Sequence, residues 1–284
     1  MKKPIQDFSL HTHTICFDGC NTPIKMILRT CELGMKSLGI SNHFIVHPNI
    51  AKSKFYPYAV RGGYSAIYST SFDEAIKRFK PHFEELKHLS GLCGVKLYRG
   101  MEVDFFDYPE WRSGFERAMK VLKPDYIICA SHFVEYDGQL YNVHDMANAD
   151  EKTRDKMVKM YWDKLGRAAE TGMFNWMAHL DLPKKTGCGR DARWVDMEKR
   201  AVESIAQSKT PIEINTGLYR DYCDEPYPSP RILRMAADAR IPVLLSDDAH
   251  AAEQMGRNFD RAYELARSCG INNFLTANAA VKSR

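Results

Sequence analysis

Residues 126–132 read Tyr-Ile-Ile-Cys-Ala-Ser-His, an apolar run that ends in a histidine. An unbroken apolar run of this length is typical of a parallel strand that helices cover on both faces. The stretch Pro242-Val243-Leu244-Leu245 has the same character and leads to Asp248 and His250. The sequence therefore predicts a buried parallel sheet whose strands carry polar side chains at their C-terminal ends.

Short runs of this kind alternate with amphipathic patterns along the whole chain. We predict strands at residues 7–13, 37–43, 95–103, 126–132, 174–180, 211–215 and 242–246, with a weaker eighth run at 272–276. Helices are expected at about 23–34, 71–86, 110–122, 150–171, 193–208, 230–236 and 258–270. Thr22, Ser71 and Ser229 precede three of these helices as caps. Seven to eight β/α units in 284 residues favour one closed α/β barrel, spanning residues 1–284, over a doubly wound open sheet.

The composition is that of an ordinary soluble globular protein, with 44% hydrophobic and 27% charged residues. The 40 basic and 36 acidic residues nearly balance, which argues against nucleic acid or an anionic membrane as the main partner. No apolar run approaches the ~20 residues of a membrane span. The eight cysteines are scattered without a Cys-x-x-Cys pair, as expected for reduced thiols in the cytoplasm.

Candidate metal ligands recur where the predicted strands end. His11 and His13 are separated by one residue, so on a strand both imidazoles point to the same side and can bind one ion. Six of the ten histidines follow apolar runs, and three carboxylates accompany them. The full set is His11, His13, Asp18, His43, Glu102, His132, His179, Asp248 and His250.

Each of these residues also has an ordinary structural explanation. Asp18 could be a turn residue before Gly19. Glu102 could pair with Arg99, and Asp248 could cap a turn. Their recurrence at successive strand ends favours a metal centre instead. Six imidazoles and three carboxylates exceed what one ion can hold, so the set predicts two or three ions, and mixed nitrogen and oxygen ligands suit Zn, Mn or Fe.

Seven motifs, six of which contain residues of this set, follow one another at suitable intervals. They are Leu10-His11-Thr12-His13-Thr14, Gly39-Ile40-Ser41-Asn42-His43, Gly100-Met101-Glu102-Val103-Asp104, Ser131-His132-Phe133, Ala178-His179-Leu180-Asp181-Leu182-Pro183-Lys184-Lys185, Ile212-Glu213-Ile214-Asn215-Thr216-Gly217-Leu218 and Ser246-Asp247-Asp248-Ala249-His250. Together they resemble the polymerase and histidinol phosphatase (PHP) family, in particular its histidinol-phosphatase branch. The resemblance implies a distorted (β/α)7 TIM-like barrel in a single domain, with three divalent metal ions.

The same resemblance distributes the ligands over three ions. His11, His13, Glu102 and Asp248 would bind the first ion, Asp18, His43 and His250 the second, and Glu102, His132 and His179 the third. Glu102 would thus bridge two ions. The catalytic water would be held at the ions by Glu102, His132, His179 and Asp248, and would attack the phosphorus of a phosphate ester.

Three positions depart from the family pattern. Asn42 stands where the family usually has Asp, and Asp247 stands where it usually has Ser. Either Asp247 or Asp248 could therefore be the ligand, and the Asp-x-His spacing to His250 favours Asp248. Residues 174–177 lack the Arg that histidinol phosphatases often carry there, which leaves the substrate open.

Cationic side chains are the natural partners of a phosphate group. Arg220, shortly after the motif at 212–218, is the first candidate, and Arg61 is the second. Further candidates are Lys184, Lys185 and Arg257. Arg61 belongs to residues 45–70, which we expect to form a long loop over the site.

These features predict an enzyme that hydrolyses a small phosphorylated metabolite, above all L-histidinol phosphate to L-histidinol and phosphate in histidine biosynthesis. One alternative is a related phosphatase or phosphodiesterase that acts on a nucleotide or another small phosphate. An alternative of another class is a regulatory metal-binding barrel without catalysis. The sequence leaves the oligomeric state open.

Overall fold

Strands and helices alternate along the chain in the computed structural model, which describes residues 5–15, 17–188, 191–219 and 223–284. The strands are β1 (Phe8–Ser9), β2 (Ser37–Ile40), β3 (His43–Val46), β4 (Tyr68–Ser69), β5 (Lys96–Asp104), β6 (Tyr126–Ala130), β7 (Phe133–Tyr136), β8 (Gln139–Asn142), β9 (Trp176–Met177), β10 (Ile212–Asn215) and β11 (Val243–Ser246). The helices are α1 (Pro23–Glu32), α2 (Tyr56–Arg61), α3 (Phe72–His88), α4 (Pro109–Leu122), α5 (Glu151–Glu170), α6 (Val195–Gln207), α7 (Pro230–Asp238), α8 (Phe259–Ser268) and α9 (Ala277–Val281).

Seven of the strands form a sheet that curves into a nearly closed barrel. Their order is β1-β2-β5-β6-β9-β10-β11, and each hydrogen-bonded pair along this path is parallel. A helix lies in each connection between successive barrel strands, and these helices surround the sheet. The predicted distorted barrel of seven parallel strands in a single domain is confirmed.

The barrel closes between β1 and β11 partly through a side chain. Ala249 N donates to His11 O (3.2 Å), and His13 N donates to Ala249 O (2.8 Å). Further down β11, Gln6 Nε2 donates to Leu245 O (2.8 Å) while Gln6 Oε1 accepts from Leu245 N (2.9 Å). The side-chain amide of Gln6 therefore takes the place of a neighbouring strand, and we term this junction between β1 and β11 the Gln6 seam.

Large aromatic side chains fill the interior of the barrel. Tyr126 of β6 stacks on Trp176 of β9 with ring centroids 4.9 Å apart. The Tyr126 hydroxyl donates to Leu10 O (2.6 Å). Gly39 and Gly100, on the neighbouring strands β2 and β5, leave room for this ring, because a Cβ at either position would lie 2.1 Å from one of its atoms.

Helix α9 covers the N-terminal end of the barrel. Val281 packs against the apolar cluster inside the barrel that contains Tyr126 and Trp176, and Asn175 Nδ2 donates to Val281 O (2.9 Å). The eighth strand predicted at 272–276 is wrong, because Phe274 makes an isolated bridge to Val243 before α9 begins. With this end closed, the C-terminal ends of the strands are left to form the site.

The strand predicted at 37–43 is divided in two. It ends at Ile40, and His43 begins β3, which pairs with β5 in the same register as β2 does. At the interruption, Asn42 Oδ1 accepts from Thr14 N (2.8 Å), a side-chain bond of the kind that competes with regular strand pairing. The predicted loop at 45–70 contains the end of β3, α2 and β4.

The antiparallel hairpin β7–β8 follows β6 and was missing from the sequence prediction. Asp137 and Gly138 connect its strands with positive φ values of 50° and 70°. An Asp-Gly pair is a strong signal for a two-residue hairpin turn, so the sequence held the information needed to find it. The hairpin leads the chain to His144 beside the site.

The predicted caps of α1 and α3 are confirmed. Thr22 Oγ1 accepts from Lys25 N (3.4 Å), and Ser71 Oγ accepts from Glu74 N (3.3 Å). Ser229 precedes α7 with extended backbone but makes no side-chain capping bond. Within the described ranges, no helix is long and apolar enough to cross a membrane.

Candidate metal centre

The nine predicted ligands come together at the C-terminal end of the barrel. The ligands that directly follow barrel strands are His11 and His13 after β1, His132 after β6, His179 after β9, and Asp248 and His250 after β11. Glu102 lies within β5, in register with His43 at the start of β3. Asp18 lies in the turn beyond β1. This turn packs closely against the backbone of His13, because a Cβ at Gly19 would lie 2.5 Å from it.

Glu102 lies in the middle of this group and faces histidines with both carboxylate oxygens. Its Oε2 lies 2.7 Å from His43 Nδ1, 3.4 Å from His11 Nε2 and 3.6 Å from His13 Nε2. Its Oε1 lies 2.9 Å from His179 Nε2 and 3.7 Å from His132 Nε2. Because each oxygen has its own lone pairs, Glu102 has the geometry needed to bridge two cations.

Asp248 completes the group around His11 and His13. Its Oδ1 lies 3.1 Å from His13 Nε2 and 3.5 Å from His11 Nε2. Ligand atoms about 2.0–2.2 Å from a tetrahedral ion lie roughly 3.3–3.6 Å from one another. The distances from Asp248 Oδ1 and Glu102 Oε2 to these two imidazole nitrogens are close to that spacing.

Asp18 is the centre of a second group. Its Oδ2 lies 3.2 Å from His43 Nε2 and 3.3 Å from His250 Nε2. His13 also approaches this group, with Nδ1 3.6 Å from Asp18 Oδ1, and its ring stacks on that of His250 with centroids 4.1 Å apart. His13 thus lies between the first and second groups, whereas the sequence assigned it to the first alone.

His132 and His179 form the third group with Glu102, and their ring centroids lie 5.1 Å apart. The groups overlap further. Donor atoms of His11, His179 and Asp248 all lie within 4.8 Å of one another, as do those of His43, Glu102 and His132. The nine side chains therefore form one continuous cluster rather than three separate sites.

Several buried polar atoms of the cluster lack a hydrogen-bond partner. Among them are His11 Nε2, His13 Nδ1, Asp18 Oδ1, His43 Nδ1 and Glu102 Oε2. Buried polar atoms are nearly always satisfied, because leaving one unpaired costs roughly 1–3 kcal/mol. Cations bound among these atoms would satisfy them, so the residues present fit several divalent metal ions.

The charges of the cluster hold its carboxylates in the ionised form that binds metal. Burial alone would raise the pKa of Glu102, but His43, His11 and His132 hold that pKa well below its usual value. Burial would also raise the pKa values of Asp248 and Asp18, but neighbouring histidines hold both well below the usual value. Burial, together with His250 and His43, lowers the pKa of His13 to about 4, so this imidazole is neutral near pH 7.

Glu213 of β10 orients two of the ligands, a role that the sequence prediction missed. His11 Nδ1 donates to Glu213 Oε2 (2.9 Å), which leaves His11 Nε2 facing the cluster. Glu213 Oε1 accepts from His179 N (3.2 Å), and Oε2 accepts from Trp176 Nε1 (3.2 Å). A carboxylate behind a ligating histidine fixes its ring and its tautomer. His11 and Glu213 are 202 positions apart, so no local pattern pairs them.

Asp104 plays the corresponding part for His132. His132 Nδ1 donates to Asp104 Oδ2 (2.6 Å), and His132 N donates to Asp104 Oδ1 (2.8 Å). The buried ammonium of Lys164 lies 3.8 Å from the same carboxylate. Here the sequence did hold a signal, because Glu102 and Asp104 are two apart on one strand and so share a face.

The structure separates the roles of Asp247 and Asp248. Asp247 Oδ1 accepts from Ser9 Oγ (2.8 Å), and Oδ2 accepts from Gly256 N (2.7 Å), so its carboxylate faces away from the histidines. Burial raises the pKa of Asp247 to about 6. Asp248 turns towards His13 with a positive φ of 49°, a conformation that costs energy for a non-glycine residue and is concentrated at functional sites.

A cavity of about 210 Å³ opens onto the cluster. Metal-binding candidates form its floor, among them His43, His132, His179, Asp248 and His250. The remaining wall includes Phe55, Tyr64 and Tyr68 from the predicted loop at 45–70, together with His144 and Lys185. This part of the 45–70 segment therefore does lie over the site, as predicted.

The predicted phosphate-binding cations have different positions. Arg220 lies outside the described residues. Arg61 ends α2 with its guanidinium over the Tyr58 ring, 4.6 Å from the centroid, and is not part of the cavity wall. Lys184 is buried and lies 3.1 Å from Asp181 Oδ2. Lys185 is the candidate that the structure places in the cavity.

Solved structures share this fold. A HisK protein of Listeria monocytogenes superimposes with a TM-score of 0.71 at 19% identity, over 89% of this chain and 99% of the other. The histidinol phosphate phosphatase of Lactococcus lactis, solved with Zn, L-histidinol and phosphate, has a TM-score of 0.65 at 16% identity, over 97% and 98% of the two chains.

Sequence comparisons point the same way. A protein named probable histidinol-phosphatase from Deinococcus radiodurans is 24% identical over 265 residues, which cover 92% of each chain. A protein of the same name from Schizosaccharomyces pombe is 34% identical over 61 residues, 22% of this chain and 20% of its own. The family model of the PHP domain matches residues 7–217. The chain therefore belongs to the PHP domain family.

Proposed function

We propose that this protein is a metal-dependent phosphomonoesterase that hydrolyses L-histidinol phosphate to L-histidinol and phosphate. The observation that carries the proposal is the continuous cluster of six histidines and three carboxylates around Glu102. The names of its relatives, and the L-histidinol and phosphate bound by the Lactococcus protein, support this substrate. A small metabolite also fits the cytoplasmic location that the scattered cysteines predict.

Three divalent ions would be held by the residues assigned from the sequence. In the assignment that the family resemblance implies, the first group would be His11, His13, Glu102 and Asp248, the second Asp18, His43 and His250, and the third Glu102, His132 and His179. When bound, such ions supply Lewis acidity, which polarises phosphoryl oxygens and lowers the pKa of water. Zinc is the first candidate because the Lactococcus protein contains it, with Mn and Fe as the other predicted metals.

The residues of the chain prepare the site for this chemistry. Glu213 and Asp104 fix the rings of His11 and His132, so the ligand atoms need little rearrangement when metal binds. The cavity of about 210 Å³ admits a small phosphate ester but encloses it among side chains on several sides. An ester bound there would have its phosphate at the histidine floor and its alcohol towards the aromatic wall of Phe55 and Tyr64.

The test is a panel of phosphorylated metabolites assayed with zinc-loaded and manganese-loaded protein. We expect L-histidinol phosphate to be among the best substrates and hydrolysis to stop when a chelator removes the metal. A nucleotide or another small phosphate as the best substrate would replace the proposed substrate and keep the reaction class. Full metal content without hydrolysis of any ester would support the regulatory barrel instead.

A further inference from the structure

Lys185 occupies an unusual position for a lysine. The described residues that line the cavity include no other lysine and no arginine. It lies in the short 3-10 helix Leu182–Thr186, which follows His179 and packs against the turn that carries His144. Lys185 therefore belongs to the short stretch of chain that begins with His179, one of the candidate metal ligands.

The ammonium group of Lys185 has no fixed protein partner among the described residues. Its neighbour Lys184 differs, since Lys184 Nζ donates to Pro226 O (2.6 Å) and lies 3.1 Å from Asp181 Oδ2. Lys184 is thus satisfied within the fold, whereas Lys185 lines the cavity and makes no hydrogen bond or ion pair with a described residue. A lysine with an ordinary structural role would be paired or would extend into open solvent.

The cavity places Lys185 close to the charges of the metal centre. Burial lowers the pKa of Lys185, and the carboxylates of Asp248 and Glu102 act against that shift. The charge of Lys185 in turn helps to lower the pKa of His144 to about 4, after the larger effect of burial. Lys185, Asp248 and His144 all line this one cavity, so their charges act on one another at short range.

We propose that the Lys185 ammonium binds the phosphoryl oxygens of the substrate from the wall of the cavity. The inference rests on the proposed function in taking the ligand to be a phosphate ester. The phosphate dianion would be held between the metal centre and Lys185. Its oxygens would give the ammonium the hydrogen-bond acceptors that the described residues do not provide. A lysine contributes a point charge rather than the two parallel bonds of arginine, so it tolerates different orientations of the phosphate.

The experiment compares Lys185→Gln and Lys185→Arg with the unaltered holoenzyme. Lys120→Gln is the matched control, because Lys120 is exposed on α4 and lies outside the cavity wall. Binding of inorganic phosphate to the metal-loaded protein is measured by calorimetry, beside metal content, KM and kcat for L-histidinol phosphate.

We expect Lys185→Gln to weaken phosphate binding and to raise KM by about 10- to 100-fold, as loss of a charge-assisted hydrogen bond does. Metal content should be unchanged, Lys185→Arg should recover most of the affinity, and the control should match the unaltered protein. Unchanged phosphate affinity in Lys185→Gln would overturn the inference. Loss of metal in that variant would overturn it too, since Lys185 would then support the fold of the centre.

The phosphate measurement separates this inference from the proposed function. If the unaltered protein binds phosphate but leaves L-histidinol phosphate intact, the proposed substrate is wrong, and the variants still report on Lys185. If the protein hydrolyses L-histidinol phosphate with equal KM in all variants, the proposed function holds and the role of Lys185 is wrong.

Discussion

At the scale of single residues, Glu102 presents its two carboxylate oxygens to different histidines, with His43 nearest to Oε2 and His179 nearest to Oε1. Replacement by glutamine keeps the shape but puts a non-ligating NH2 group at one of the two positions. We expect Glu102→Gln to release more than one metal ion per chain and to abolish hydrolysis. Metal analysis beside an activity assay would check this.

Glu116→Gln, on the exposed face of α4, is the control for that experiment and should keep both metal and activity. A Glu102→Gln protein with its full complement of metal would mean that Glu102 does not bridge the groups.

The adjacent residues Asp247 and Asp248 provide a second test at this scale. Asp248→Asn should lose metal, because Asp248 Oδ1 faces His13 and His11. Asp247→Asn should keep its metal, because an asparagine can still accept from Gly256 N while its NH2 group donates to Ser9 Oγ. We expect the Asp247 variant to lose no more than about 1 kcal/mol of unfolding free energy. The reverse pattern of metal loss would make Asp247 the ligand.

At the scale of elements, the packing of strands β2, β5 and β6 depends on glycines that face Tyr126. A Cβ at Gly100 would lie 2.1 Å from the Tyr126 ring, inside the barrel where little can shift. We expect Gly100→Ala to lower the free energy of unfolding by about 1–3 kcal/mol, the usual cost of overpacking. Urea denaturation would measure this.

Gly166→Ala in α5 is the matched control for Gly100→Ala. Its added Cβ would lie 3.4 Å from Ser204, an ordinary contact. Because alanine favours helix over glycine, this variant should be as stable as the unaltered protein or up to about 1 kcal/mol more stable. Equal effects of the two alanines would contradict the packing described for Tyr126.

Helix α3 is joined to the end of β2 through a buried histidine. His82 Nε2 accepts from Asn42 Nδ2 (2.9 Å), and burial lowers the pKa of His82 to about 4. The unfolded chain has a histidine pKa near 6.5, so the folded state resists protonation. His82 therefore makes its full contribution to the free energy of unfolding above about pH 6.5. This contribution falls by on the order of 3 kcal/mol as the pH falls towards 4.

The matching experiment compares the unaltered protein with His82→Gln, which can still accept from Asn42 but does not titrate. Unfolding free energies are measured from pH 7 to pH 4 with chelator present, so that metal release makes no contribution. The advantage of the unaltered protein should shrink as the pH falls. A constant difference between the two proteins would mean that His82 is protonated or accessible in the folded state.

The sequence predicted these elements where the signal was local. The apolar runs and the residues that end them, such as His132 and His179, predicted the seven barrel strands and the convergence of the candidate ligands at one end of the barrel. The division between β2 and β3 was missed; at that point Asn42 bonds to Thr14, 28 positions away, and no local pattern pairs the two. The support of His11 by Glu213 was missed for the same reason.

At the scale of the whole molecule, the buried carboxylates make stability depend on metal. Ions that bind only the folded state stabilise it by mass action. For each ion bound above its Kd, a tenfold rise in free metal should add about 1.4 kcal/mol to the free energy of unfolding. Denaturation at a series of buffered zinc concentrations would measure this slope. Glu102→Gln should give a shallower slope, and identical curves with zinc and with chelator would contradict the proposed centre.

The Gln6 seam has a consequence for how the molecule holds its shape. Ligands of the first group come from both sides of it, His11 and His13 beyond β1 and Asp248 beyond β11. A cation between them acts as a cross-link that joins the first barrel strand to the last, much as a disulfide closes a long loop. Amide hydrogens along β11 should then exchange with solvent at a rate set by metal occupancy. Closure of the barrel and assembly of its catalytic centre would be a single event.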